Sequence, residues 1–80
     1  MKVSLTGALR SAAGGAEHVD IEADTIRELL HRTIERYPLM QEHMDAGIAV
    51  SINGDIYRDN WGEKIPANAE VFLLPRLQGG

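Results

Sequence analysis

Val71-Phe72-Leu73-Leu74-Pro75 is an uninterrupted run of large apolar side chains closed by a proline. Such a run suits a central strand buried on both faces, because a strand with one wet face would alternate. Pro75 ends it, having no N–H to give to a ladder. Around this strand the rest of the chain has to be arranged.

Upstream, Ile48, Val50 and Ile52 alternate with Ala49, Ser51 and Asn53, which predicts a strand. Asn53-Gly54 then gives a tight turn, and Ile56-Tyr57-Arg58 a short return strand. Asp59-Asn60-Trp61-Gly62 reads as a second turn, with Trp61 covering an edge of the core and its N–H left a route to water. Ala67-Asn68-Ala69-Glu70 is a turn that leads into the apolar run.

Further upstream, Thr25-Ile26-Arg27-Glu28 has the capping-box pattern, with Asp24 as the other candidate N-cap. Ile26, Leu29, Leu30, Ile34 and Tyr37 recur at helical spacing and form one apolar face. Pro38 stops this helix by disfavouring the α conformation at Tyr37. Arg27, Arg32 and Arg36 alternate with Glu28 and Glu35 as a solvated face with i,i+4 pairs. Leu39 to Met44 is either a short extra helical turn or an ordered loop, its two methionines filling a gap at the core's edge. Near the start, Val3, Leu5 and Leu9 mark a first strand, and His18-Val19-Asp20-Ile21-Glu22 a second. Ser11-Ala12-Ala13-Gly14-Gly15-Ala16 between them reads as a hairpin loop. Gly14-Gly15 lacks the companions of a phosphate-binding loop and is a turn.

The order strand, strand, helix, strand, short strand, strand predicts an α+β fold: a mixed sheet of four to five strands packed on one main helix. An 80-residue chain is one domain with a thin core, too small for a buried cofactor cleft. Residues 1–75 would form that domain and 76–80 a flexible tail. With no cysteine there is no disulfide, thiolate metal site or cysteine nucleophile. The net charge of −4 argues against nucleic acid and anionic membranes. No signal segment or membrane span is visible, so the chain is expected to be soluble and cytoplasmic; it is also expected to be a monomer when free. The histidines at 18, 31 and 43 share no ligand spacing, and no metal site is expected.

Downstream, the central strand would project Arg76-Leu77-Gln78-Gly79-Gly80 into solvent. Gly79 and Gly80 carry no Cβ, so a partner's narrow channel could admit the backbone up to the terminal carboxylate. Five extended residues reach about 16–18 Å. The carboxylate of Gly80, with Gly79 beside it, is therefore the candidate reacting group. Phe72, Leu74, Pro75, Arg76, Leu77 and Gln78 are the candidate partner-binding residues.

The final third, from Ile52-Asn53-Gly54 through Ile65-Pro66 and Glu70-Val71-Phe72-Leu73-Leu74-Pro75 to Gly79-Gly80, resembles the MoaD/ThiS sulfur carriers. Thr25 to Pro38 also looks like their helix. The resemblance implies a ubiquitin-like β-grasp fold. It implies that a ubiquitin-activating-type enzyme adenylates Gly80, and that a thiocarboxylate formed there gives sulfur to a synthase subunit in cofactor biosynthesis. ATP and Mg²⁺ would sit on the activating partner, and no cofactor on this chain. The protein would be a carrier and co-substrate rather than an enzyme, or the small subunit of a sulfur-transferring synthase. Length and the segment after the helix are closer to the molybdopterin branch than to the thiamine branch. Ala67-Asn68-Ala69-Glu70, the single Pro75 and Leu77-Gln78 depart from the family pattern, and Arg76-Leu77 resembles the tail of ubiquitin. The alternatives are a protein modifier conjugated through Gly80 and a plain β-grasp interaction module.

Overall fold

The computed structural model describes residues 1–75. It contains β1 (Lys2–Leu5), α1 (Leu9–Ala12), β2 (His18–Asp20), α2 (Ile26–Arg36), α3 (Met40–Ala46), β3 (Ile48–Ile52), β4 (Asp55–Tyr57) and β5 (Val71–Pro75). The strands form one sheet in the order β2-β1-β5-β3-β4. β5 lies at the centre, parallel to β1 and antiparallel to β3. This is the expected α+β, ubiquitin-like β-grasp with five strands.

The core lies on one face of the sheet. Val3 and Leu5 of β1, Val19 of β2, Ile48, Val50 and Ile52 of β3, and Val71 and Leu73 of β5 meet Ile26, Leu29 and Leu30 of α2 there. The shortest extent of the fold is 18 Å, room for one sheet and one layer of helices but not for helices on both faces. β5 is consequently not buried on both faces as its apolar run predicts. Val71 and Leu73 are buried, whereas Phe72 and Leu74 are half-buried and Pro75 is exposed.

The start of α2 is held by side chain and backbone together. Thr25 is the N-cap, and its hydroxyl accepts the Glu28 N–H at 3.2 Å. The Glu28 carboxylate accepts the Asp24 N–H at 2.9 Å. The next free donors go to the 58–65 loop, where the Glu63 carbonyl takes the Ile26 N–H (3.1 Å) and the Trp61 carbonyl the Arg27 N–H (2.8 Å). These partners satisfy groups a helix terminus leaves open. Buried Thr33 is apolar in effect, since its hydroxyl donates to the Leu29 carbonyl at 2.7 Å. Arg32, which pairs with Glu28 along the helix at 3.6 Å, and Arg36 donate to the backbone carbonyls of Glu22 and Asp20 and tie α2 to the end of β2.

Two local expectations change. Leu9 is not in a strand. Thr6-Gly7 turns the chain and Leu9–Ala12 forms α1, with Leu9 and Ala12 in the core. The predicted hairpin loop therefore begins as helix and turns only at Gly14 and Gly15, whose φ values are +69° and +89°. Residues 40–46 are helical, and Met40 is fully buried rather than at the core's edge, with Met44 partly buried. At Asn53-Gly54, φ values of +51° and +91° give the expected tight hairpin. The Asn53 side chain also accepts the Glu70 N–H at 2.9 Å, and the Asn53 N–H donates to the Glu70 carbonyl at 2.9 Å. That pair fixes the entry to β5.

Candidate docking face and tail exit

Alternation along β5 divides its side chains between core and open face. The pairing places His18, Ser4, Phe72, Ser51 and Ile56 in one row across the five strands. Leu74 and Ala49 form the next row toward the exit. Ile56 is 47% exposed. Phe72, Leu74, Ile56 and Ala49 all lie outside the core cluster. Ala49 and Ser51 are small and buried beside these longer neighbours.

The open face thus has an apolar half over β5, β3 and β4, and a polar half over β1 and β2. Phe72 and Leu74 are brought together there, and Pro75 stands exposed at the end of the same strand. Arg76, Leu77, Gln78, Gly79 and Gly80 lie outside the described residues. Sequence reading missed Ala49, Ser51 and Ile56. Their signal was present in the alternation of the third strand and in the two-residue turn that sets Ile56 opposite Ser51.

Another depression lies elsewhere. A cleft of about 580 Å³ opens between Met1, Glu22, Asp24 and residues 65–69, at the end of the sheet away from Pro75. Its lining mixes Ile65, Pro66 and three alanines with Lys2, Glu22, Asp24 and Asn68. At that end the Met1 ammonium donates to the carboxylates of Asp20 (2.8 Å) and Glu22. Asp20 holds the ammonium pKa above its ordinary value, helped by Glu22, and the ammonium in turn holds the Asp20 carboxyl below its ordinary value. Burial, followed by Glu63 and Asp55, raises the Tyr57 phenol. None of these groups is at the tail exit. Among the described residues no three His, Cys, Asp or Glu side chains gather as a metal site, and His31 instead faces Glu35 at 3.6 Å along α2. No helix among them is long and apolar enough to cross a membrane.

The ThiS family model matches residues 3–80, nearly the whole chain and its glycine terminus. The chain belongs to the ThiS family. It is therefore a ubiquitin-like protein of the MoaD/ThiS sulfur-carrier type, with the β-grasp described above. Comparison with curated proteins gives no significant match. Among solved structures, this ThiS-family chain is similar to a putative molybdopterin converting factor subunit 1 from Pyrococcus furiosus. That likeness has 22% identity and a TM-score of 0.79 over 95% of both chains. It is also similar to a chain of the Amycolatopsis orientalis BexX/CysO complex (21% identity, TM-score 0.77, covering 99% of this chain and 98% of that one). A third similar structure is small archaeal modifier protein 1 from Methanosarcina acetivorans (26% identity, TM-score 0.73, covering 99% and 94%).

Proposed function

We propose that this ThiS-family protein carries sulfur on the carboxyl group of Gly80. The observation that carries the reading is the placement of β5. The central strand runs straight to the tail, and its open side presents Phe72 and Leu74 immediately before the exit. A partner that holds this apolar face has Pro75, the root of the tail, beside it.

The chemistry needs little from the folded body. A partner enzyme of the ubiquitin-activating type binds Mg-ATP, and a Gly80 carboxylate oxygen attacks the α-phosphate with loss of pyrophosphate. The acyl adenylate has AMP as a leaving group. A persulfide sulfur attacks the acyl carbon, AMP departs, and a thiol cleaves the resulting acyl disulfide to leave a thiocarboxylate. Docking holds the carboxylate at high effective concentration, a contribution of up to about 7–11 kcal/mol when orientation is complete. Glycines at 79 and 80 let backbone enter where side chains would clash. Phe72, Leu74, Pro75, Arg76, Leu77 and Gln78 form the partner-binding surface. ATP and Mg²⁺ belong to the partner, and a second partner subunit takes the sulfur.

The acceptor is a cofactor precursor, with molybdopterin favoured over thiamine. The likeness to the Pyrococcus furiosus molybdopterin converting factor subunit supports that branch. Conjugation through Gly80 to target lysines is the second reading, supported by the likeness to small archaeal modifier protein 1.

Thiol alkylation followed by intact and C-terminal peptide mass tests the proposal, on protein expressed with its activating enzyme. The chain has no cysteine, so any thiol-specific adduct lies on another sulfur. An adduct on the peptide ending in Gly80 is expected. Conjugates without an adduct would favour the modifier. Neither product, with an active partner, would overturn both.

A further inference from the structure

The parallel pairing of β1 with β5 ends at Leu5 and Leu73. β5 runs two residues further, paired with Ala49 and Ile48 of β3 on its other side. The side that β1 leaves open is taken by the Thr6-Gly7 turn. The Thr6 hydroxyl donates to the Leu73 carbonyl at 3.2 Å. Gly7 has φ of +56°, and a Cβ placed on it would lie 3.4 Å from Pro75 Cγ and 3.9 Å from Cδ. The proline ring therefore rests against the Gly7 backbone with no side chain between them.

This turn is itself braced. The Leu9 N–H donates to the Thr6 carbonyl and the Arg10 N–H to the Gly7 carbonyl, both at 3.2 Å. Arg10 Nε returns to the Leu5 carbonyl at 3.1 Å, and Leu9 is anchored in the core. Pro75 has a fixed φ, so seating its ring against Gly7 sets the direction of its Cα–C bond, from which the chain continues. We propose that the Thr6-Gly7 turn is an abutment that sets the direction in which the chain leaves Pro75. Thr6 and Gly7 are then positioning residues for activation of the Gly80 carboxylate, an inference that rests on the carrier reading given above. Over a reach of about 16–18 Å, a swing of roughly 10° at the root moves the far end of an extended tail by about 3 Å. A misplacement of 1 Å can cost a reaction about 100-fold, and rotations within the tail recover part of that loss.

Three variants test the abutment: Thr6→Val removes the donor at similar shape, Thr6→Ser keeps it, and Gly7→Asn tolerates positive φ but presses a side chain on Pro75. ATP–pyrophosphate exchange with the activating enzyme gives kcat and KM, and amide residual dipolar couplings of Leu74 and Arg76 report direction without the enzyme. Thr6→Val and Gly7→Asn are expected to lower kcat about tenfold with KM within about twofold, and to reorient both amides. Thr6→Ser is expected to match wild type. Unchanged couplings in Thr6→Val and Gly7→Asn would overturn the abutment, whatever the activity. So would reoriented amides with unchanged kcat, or a rise in KM alone. Reoriented amides beside a wild type that supports no exchange would remove the carrier reading and leave the abutment as a feature of the fold.

Discussion

Leu73 and Leu74 are adjacent leucines on opposite faces of the central strand, and truncating each to alanine should have different consequences. Leu73 is fully buried between α2 and the sheet. Its truncation loses transfer free energy and leaves a cavity, about 3–5 kcal/mol together. The whole domain is worth about 4–12 kcal/mol at this length, so Leu73→Ala removes a large share of it. Leu74 is half-buried on the open face. Leu74→Ala loses about half of a leucine's burial, near 1 kcal/mol, and no cavity forms because water fills the space. Urea unfolding followed by circular dichroism measures both, with a common slope expected. Thermal midpoints should fall by at least about 12 °C for Leu73→Ala and by about 4–8 °C for Leu74→Ala. In the activating assay the order reverses: Leu74→Ala should raise the KM of the partner reaction about tenfold, while whatever Leu73→Ala protein remains folded should dock normally. Equal destabilisation by the two variants would refute the one-faced core, and an unchanged KM in Leu74→Ala would refute the docking face.

Thr25→Ala should cost about 0.5–2 kcal/mol in urea unfolding, through loss of the cap on the Glu28 N–H, and Thr25→Ser should restore most of it. Asn53→Gly keeps the positive φ of the hairpin turn but loses the acceptor for the Glu70 N–H. A loss of about 1 kcal/mol is expected, and Asn53→Ala should lose more because it adds backbone strain. Asp20→Asn tests the ion pair with the Met1 ammonium. The lowered Asp20 pKa stabilises the fold above the ordinary 3.8 and loses this effect as pH falls through the folded value. The raised ammonium pKa stabilises below the ordinary 8.0 and loses its effect as pH rises through the folded value. The thermal midpoint of Asp20→Asn should therefore lie below wild type near neutral pH, and the gap should close at both extremes. A gap independent of pH would show that charge is not its cause.

Much of the fold was legible because local chemistry and tertiary need agreed. Asn53-Gly54 gave its hairpin, since few residues but Asn and Gly accept positive φ in succession. Thr25 and Glu28 marked the helix start, and the unbroken apolar run placed the last strand at the centre of the sheet. What could not be read is mostly carried by backbone. The carbonyls of Trp61 and Glu63 that receive the first N–H groups of α2 leave no mark in side-chain identity. α1 is four residues long, so Leu9 and Ala12 three apart were its only periodic signal, and Leu9 also fitted a strand. Thr6 and Gly7 reach the tail root only because β1 and β5 are parallel, and parallel pairing joins segments that lie far apart in sequence.

The misreading of β5 bears directly on function. An apolar residue facing a partner and one facing the core look alike in a sequence, and only the side on which the helices pack separates them. A one-sided sheet normally puts polar residues on its wet face. β1 and β2 follow that rule on the open face with Lys2, Ser4, His18 and Asp20. β5 and β4 break it with Phe72, Leu74 and Ile56. Folding alone gives no reason for the breach, since water-exposed apolar area adds little stability and favours association. The breach falls on the strand that ends in Pro75 and across the sheet beside it. Under the proposed carrier reading, core demand and docking demand act on alternate residues of β5, and their superposition makes the run look buried on both sides.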